Sequence, residues 1–387
     1  MLRLLFTLLY TIIATAVIAQ QQTQQQALPY DKARLTNAIS AYESMVDAGN
    51  WNTFPEGLML KPGDTTLQVA ALQENLILTG DMPLDSARVP ALYTAALKKA
   101  VQNFQARHGL LTDGVAGPNT LAAMNVPLAQ RLWQLKHNLS LWDSAFFAVQ
   151  QPYVVVNLPD YTLQVVDSNK TVLQMRVIIG KPELRTYPIL SELDMLVLYP
   201  YWYIPTSIAV NEIVPLLRKN PGYLAKKKMV VEKQGPNGWV RVNPWGVNWK
   251  SINASNYTYR IYQLAGKENE LGQVKFLYPN RLPQYMHDTP NKQLFSYPNR
   301  TFSHGCIRLE KPFKLADYIL EKGSGYTPEQ VNNLWNQDKP NHYIRVKNPL
   351  PLRIVYITAW VDTLGLVQFR DDMYRLHQPP QLSVDER

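Results

Sequence analysis

Apolar positions along this chain change their spacing near Pro152, and the change divides the sequence into a helical part and a strand-rich part. From about 30 to 60, Tyr30, Leu35, Ile39, Tyr42 and Met45 recur at helical intervals. A compact segment follows at 63–127, opened by Gly63-Asp64-Thr65. Val69, Leu72 and Leu76 share one helix face, and Leu97, Val101 and Phe104 share another. Gly109, Asp113-Gly114 and Gly117 mark tight turns, and Pro118 suits the first turn of a third helix carrying Leu121 and Met124. Three such short helices hold little core, so this bundle is expected to pack on a neighbour. Helical spacing resumes at 128–145 with Leu132, Trp133, Leu135, Leu139 and Trp142.

After Pro152 the pattern is that of strands. Residues 154–157 form a continuous apolar run, Tyr161, Leu163 and Val165 alternate with polar residues, and a turn at 167–170 leads into a further strand at 171–179. Strand-like runs return at 195–198, 257–262 and 274–277, whereas 205–217 and 311–322 read as helices. The chain closes in an expected hairpin, 353–361 and 367–370, around a turn at 362–365.

The first residues add a location. Arg3 precedes an uncharged apolar stretch, 4–19, that ends in Val17-Ile18-Ala19, the pattern of a secretory signal peptide. The stretch is shorter than the ~20 residues of a typical spanning helix, yet an uncleaved anchor stays open. The glutamine-rich tract 20–26 reads as a solvated spacer. A formal net charge of +9 favours a polyanionic partner. No basic run exceeds Lys226-Lys227-Lys228 and no zinc-finger or helix-turn-helix spacing occurs, so nucleic acid is not the expected partner. A wall rich in carboxylates and phosphates fits a diffuse basic surface, as does a merely solvated one.

The chemistry concentrates in two stretches. Tyr285-Met286-His287-Asp288-Thr289-Pro290 is followed, after a loop, by Ser303-His304-Gly305-Cys306-Ile307-Arg308-Leu309. Cys306 is the single cysteine, so it is either an inert core thiol or a reactive one. A thiol is nucleophilic as thiolate, with a free pKa of about 8.5, and needs a base or a positive charge beside it. Two histidines and Arg308 lie within reach in sequence, the raw material of a Cys–His pair. His304 shapes the nucleophile's turn rather than acting as base. Gly305 permits an unusual backbone angle that would aim the Gly305 and Cys306 N–H groups at an oxyanion. The planar guanidinium of Arg308 would suit a substrate carboxylate. Zinc is a rival reading of two His and one Cys, but no fourth ligand stands at a recognisable spacing.

This Ser303–Leu309 string, with His287-x-Thr289-Pro290 upstream, resembles the active-site signature of L,D-transpeptidases with a YkuD-type domain. Phe104-Gln105, Gly109-Leu110, Asp113-Gly114, Gly117 and Thr120 resemble a small peptidoglycan-binding bundle. Tyr201-Trp202-Tyr203-Ile204-Pro205 with Ser207-Ile208-Ala209, and the closing Tyr356–Trp360 and Phe369–Asp372 stretches, resemble the long YcbB-like branch. One departure is Asp288, where glycine or serine is common. The resemblance implies an α+β fold: a β-sandwich-like catalytic domain with a lid insertion, a three-helix peptidoglycan-binding bundle and a helical scaffold. The expected order is a signal peptide at 1–19, linker and N-terminal scaffold at 20–62, the bundle at 63–127 and a scaffold helix at 128–151. The catalytic domain would fill 152–348, with a lid at 205–250 carrying Trp239, Trp245 and Trp249, and a hairpin and tail at 349–387.

Carried over by position, Cys306 would be the nucleophile and His287 the general base. His304, Gly305 and the Cys306 N–H would form the oxyanion pocket. Arg308 and Ser303 would contact substrate, and no metal or organic cofactor would be needed. The implied reaction is a 3→3 crosslink between peptidoglycan stem peptides through an acyl-enzyme, with release of a terminal D-Ala, in the periplasm and at the cell wall. Water in place of the acceptor amine would make the same site an L,D-carboxypeptidase. A wall-binding protein without catalysis is the third reading.

Overall fold

The computed structural model describes residues 31–86, 91–142 and 149–377. The expected signal peptide and glutamine tract lie outside them. The fold is α+β, in two compact units: one is built from the chain before Met175 and after Leu352, the other from Met175–Leu352.

The first unit begins with helix α1 (Lys32–Ala48). The Asp31 carboxylate accepts from the Ala33 and Arg34 N–H groups at 2.9 and 3.2 Å, and Gly49, at φ 67°, ends the helix. The stretch after Gly49, expected to be helical as far as 60, leaves the helix there. Helices α2 (Leu67–Leu78), α3 (Ala95–Arg107) and α4 (Pro118–Met124) form the small bundle. Val69, Leu72, Leu76, Leu97, Val101, Phe104, Leu121 and Met124 meet in its core. Buried Gln105 binds the Gly114 turn through both ends of its amide, accepting from the Gly114 N–H at 2.9 Å and donating to the Val115 carbonyl at 3.0 Å. Arg107 grips Asp81 in a buried fork, with contacts of 2.7 and 2.6 Å.

Helix α5 (Leu128–Trp142) follows, and its Leu128 and Leu135 join Leu35, Ile39 and Tyr42 in a second core. Strands β1 (Tyr153–Asn157) and β2 (Thr162–Asp167) pair antiparallel. Tyr153, Val155 and Val166 enter that same second core. This hairpin, expected at the head of the catalytic domain, therefore packs with the helical scaffold.

The second unit opens with β3 (Lys170–Gly180) and β4 (Ile189–Leu198). Then comes an insertion: β5 (Trp202–Tyr203), helix α6 (Thr206–Ile208), a π turn (Ala209–Ile213), α7 (Val214–Lys219) and α8 (Tyr223–Lys226). Strands β6 (Met229–Gly235), β7 (Gly238–Arg241) and β8 (Tyr259–Gln263) complete it. These strands form a separate sheet in the order β5-β8-β6-β7. Its Val231 and Ile261 bury against Val214, Leu217 and Trp249. Of the three tryptophans expected in a lid, Trp249 is thus core, while Trp239 and Trp245 are exposed.

The central sheet adds β9 (Val274–Leu277), β10 (Met286–His287), β11 (Thr301–Ser303) and β12 (Ile307–Leu309). Helices α9 (Pro312–Tyr318) and α10 (Pro328–Asn336) precede the long β13 (His342–Val355). Within this unit the order is β11-β3-β12-β10-β9-β4-β13. Strands β14 (Ala359–Val361) and β15 (Val367–Phe369) form the closing hairpin in the first unit. The strand expected at 353–361 is broken. Ile357 and Thr358 leave the ladder because their N–H groups donate to the side-chain oxygens of Asn157 and Asn138 at 3.0 and 2.9 Å.

The buried Arg107–Asp81 fork sets a stability prediction. Arg107→Ala strands a buried carboxylate and is expected to destabilise the bundle by about 3–5 kcal/mol. Arg107→Met combined with Asp81→Leu is expected to recover most of that loss. Urea unfolding followed by circular dichroism measures both.

Candidate active site

Three short strands bring the chemistry together. β10 pairs parallel with β12, Met286 opposite Ile307 and His287 opposite Arg308. It also pairs antiparallel with β9, placing His287 opposite Lys275. Residues opposite one another share a sheet face, and alternate residues of a strand return to it. Lys275, His287 and Arg308 therefore form a row on one face. Tyr285 and Cys306, each two residues earlier, stand beside it. The Ile307 N–H donates to the Tyr285 carbonyl at 3.0 Å, which keeps the two segments in register past Cys306.

The turn before β12 is built to present Cys306. Gly305 has φ 111°, a left-handed angle costly for a residue with a Cβ. Its carbonyl accepts from the buried Thr186 hydroxyl at 2.8 Å. The Ser303 hydroxyl accepts from the Gly305 N–H at 3.1 Å and donates to the Cys306 carbonyl at 2.5 Å. The Cys306 thiol donates to the Pro283 carbonyl at 3.6 Å and is partly exposed. Among the described residues no acceptor takes the Cys306 N–H.

His287 is buried, 4 % exposed. Its Nδ1 meets the Asp288 carbonyl at 2.5 Å. A carbonyl only accepts, so Nδ1 carries the proton and Nε2 is left with a lone pair. Burial, then the nearby Arg308, Lys275 and Lys292 charges, push the imidazole pKa down to about 3 against the pull of the Asp288 carbonyl. Burial likewise pushes the Cys306 thiol up, opposed by Tyr285, Lys275 and Arg308. Both directions favour uncharged partners, so the resting pair is a thiol and a neutral imidazole. The charge that Asp288 adds is absorbed: its carboxylate holds Lys292 Nζ at 2.6 Å and the Thr289 and Gln273 N–H groups at 2.7 and 3.0 Å.

Of the residues singled out in the sequence, Cys306, His287 and Arg308 converge. Arg308 is largely buried, makes no ion pair with any described residue, and its Nε has no hydrogen-bond partner. Ser303, expected to contact substrate, is 2 % exposed and its hydroxyl is committed to the turn that carries Cys306. Gly305 is corrected in part, because its N–H is spent on Ser303 and only the Cys306 N–H remains to donate. His304 turns outward, and its Nε2 meets the Glu212 carboxylate of the insertion at 2.5 Å. Lys275 was missed. Its signal was a lysine inside the apolar run 274–277, but only sheet register shows that it faces His287. Among the described residues no group of three or more His, Cys, Asp or Glu side chains is placed to hold a metal ion.

A family model of the L,D-transpeptidase catalytic domain matches residues 151–350. The chain belongs to the L,D-transpeptidase family. A peptidoglycan binding domain model also matches residues 65–124 of this L,D-transpeptidase. It is 32% identical over 219 residues to a protein of Haemophilus influenzae named for the same family. That match takes in 56% of this chain and spans 43% of the relative's length. Among solved structures, an L,D-transpeptidase from Mycobacterium smegmatis has a TM-score of 0.23 at 15% identity, covering 52% of this chain and 58% of that one. An L,D-transpeptidase (residues 123-326) from Xylanimonas cellulosilytica has a TM-score of 0.20 at 15% identity, covering 79% and 100%. The family assignment rests on the sequence match.

Two predictions follow from the site's electrostatics and its turn. Side-chain NMR should find His287 as the neutral Nδ1–H tautomer from pH 8 down to about pH 4; an imidazolium at pH 6 would falsify this assignment. Below the ordinary histidine value of about 6.5 the unfolded chain binds a proton that the folded site refuses. The stability held by neutral His287 is therefore complete above that pH and is lost as pH falls toward 3. Separately, Ser303→Ala should slow acylation of Cys306 by about 10–100-fold through misplacement of the sulfur, with the fold intact by circular dichroism.

Proposed function

We propose that the chain forms 3→3 peptidoglycan crosslinks through a thioester on Cys306. The observation that carries this reading is the strand register that sets Cys306 alongside Tyr285 and Arg308 opposite His287, a buried imidazole whose Nε2 keeps its lone pair. The sulfur attacks the carbonyl of the third stem residue, meso-diaminopimelate, as its proton passes to His287 Nε2. A C–S bond forms, and the carbonyl oxygen becomes an oxyanion that accepts from the Cys306 N–H. Collapse breaks the C–N bond to the terminal D-Ala, whose amine takes the proton from His287. An acceptor amine from a second stem then attacks the thioester and gives its proton to His287. The C–S bond breaks, and the proton returns to sulfur. Arg308, desolvated and in no ion pair among the described residues, with Glu270 acting on it only at a distance, binds a carboxylate of the donor stem. Its deprivation of a partner is costly in the free enzyme and is relieved when that carboxylate arrives.

The reaction takes place outside the cytoplasm, at the wall, and the bundle at 65–124 engages peptidoglycan. No helix among the described residues is long and apolar enough to cross a membrane.

The first test is intact-protein mass after incubation with a carbapenem, which acylates a reactive thiol. Wild type is expected to gain one adduct that Cys306→Ala lacks, and His287→Ala is expected to acylate about 10²–10⁴-fold more slowly. Stem tetrapeptide with an added amine stem should then yield the crosslinked dimer and free D-Ala. Release of D-Ala with only tripeptide formed would assign the site to hydrolysis. Absence of any adduct on reduced wild type would remove the enzymatic reading.

A further inference from the structure

We infer that Lys275 is the counter-ion against which Cys306 ionises as it attacks. This rests on the reading of Cys306 as nucleophile. In a Cys–His pair the developing thiolate is ordinarily offset by the imidazolium that forms beside it. Here the imidazole is sealed among three cations, Arg308, Lys275 and Lys292, and resists holding a proton. Another charge has to meet the sulfur.

Lys275 has the required placement. It lies opposite His287 across the β9–β10 pair, on the face shared by Tyr285 and Cys306. Its ammonium sits 3.8 Å from the centre of the Tyr285 ring. The negative ring face steadies a cation that has lost much of its water. Among the described residues Lys275 makes no salt bridge, so its charge is not spent on a protein carboxylate.

The other groups facing the sulfur divide differently. Arg308 is the second cation, and the Glu270 carboxylate is its strongest charged neighbour. Burial lowers the Lys275 ammonium below the ordinary lysine range, and the one charge that opposes this is an ionised Cys306. Tyr278 and Tyr285 are buried phenols that stay protonated and neutral. Asp288 and Lys292 neutralise one another. Lys275 is thus the cation whose field is left for the thiolate, while Arg308 is left for substrate.

Alkylation of the full chain by iodoacetamide across pH 6–11 tests this without a cell-wall substrate. Lys275→Met and Lys275→Gln are both expected to move the midpoint of Cys306 alkylation up by about one pH unit, tenfold slower at a fixed pH below it. The plateau at high pH should be unchanged, and Lys275→Arg should restore the wild-type midpoint. A lowered plateau at an unchanged midpoint, in whichever neutral variant folds, would mean that Lys275 only shapes the pocket and would overturn the inference. An Arg variant displaced as far as the neutral ones would overturn it as well. Normal alkylation profiles beside absent crosslinking would sink the transpeptidase reading and leave Lys275's role standing.

Discussion

The parallel pairing of β10 with β12 is the constraint on which the site depends. Each strand is only two or three residues long, and neither would persist alone. Held between β9 and β3, they fix His287 beside Arg308 and carry Cys306 alongside Tyr285. A slip of one residue in this pairing would turn the imidazole to the opposite face of the sheet. The buried neighbours Met286, Ile307 and Leu309 forbid that slip, because it would bring them out of the core. Apolar packing beneath the sheet thereby decides polar geometry above it.

The same burial governs the chemistry. A dry pocket makes every charge expensive, and this one contains more cationic groups than anionic ones. The fold absorbs the imbalance in several ways. It keeps His287 neutral, neutralises Lys292 with Asp288 and sets the Lys275 ammonium on an aromatic face. Arg308 keeps an unmet donor at Nε. Local cost at a site, supported by consistency elsewhere, is what a site built to receive an anionic ligand requires.

How much of this could be read beforehand depended on whether a relation lies along the chain or across it. The Ser303–Leu309 string and His287 are close enough in sequence for their chemistry to suggest itself, and the helices at 67–78, 95–107 and 118–124 announced themselves by apolar spacing. Lys275 escaped notice because its link to His287 exists only through strand register. Ser303 was given to substrate by the resemblance alone, and its burial and its bond to the Cys306 carbonyl could not be read from the string. The β1–β2 hairpin, placed in the catalytic domain by the resemblance and lying within the matched residues 151–350, sends Tyr153, Val155 and Val166 into the core shared with α1 and α5, a packing that no pattern within the hairpin announces. The strand expected at 353–361 failed because Asn138 and Asn157, far away in sequence, capture two of its N–H groups.

The bond between His304 and Glu212 joins two parts of the second unit that are far apart in the chain. Glu212 lies in the π turn of the insertion, and His304 lies two residues before the thiol. A displacement of Glu212 would break this bond and act on the turn that carries Cys306 only as far as an exposed pair can transmit. Thermodynamic linkage makes such a relation reciprocal. A group that fastens the Cys306 turn in one geometry also biases where the insertion rests, and a ligand that draws the insertion elsewhere alters the turn in equal measure. The insertion and the Cys306 turn are accordingly coupled through one surface pair, in both directions alike.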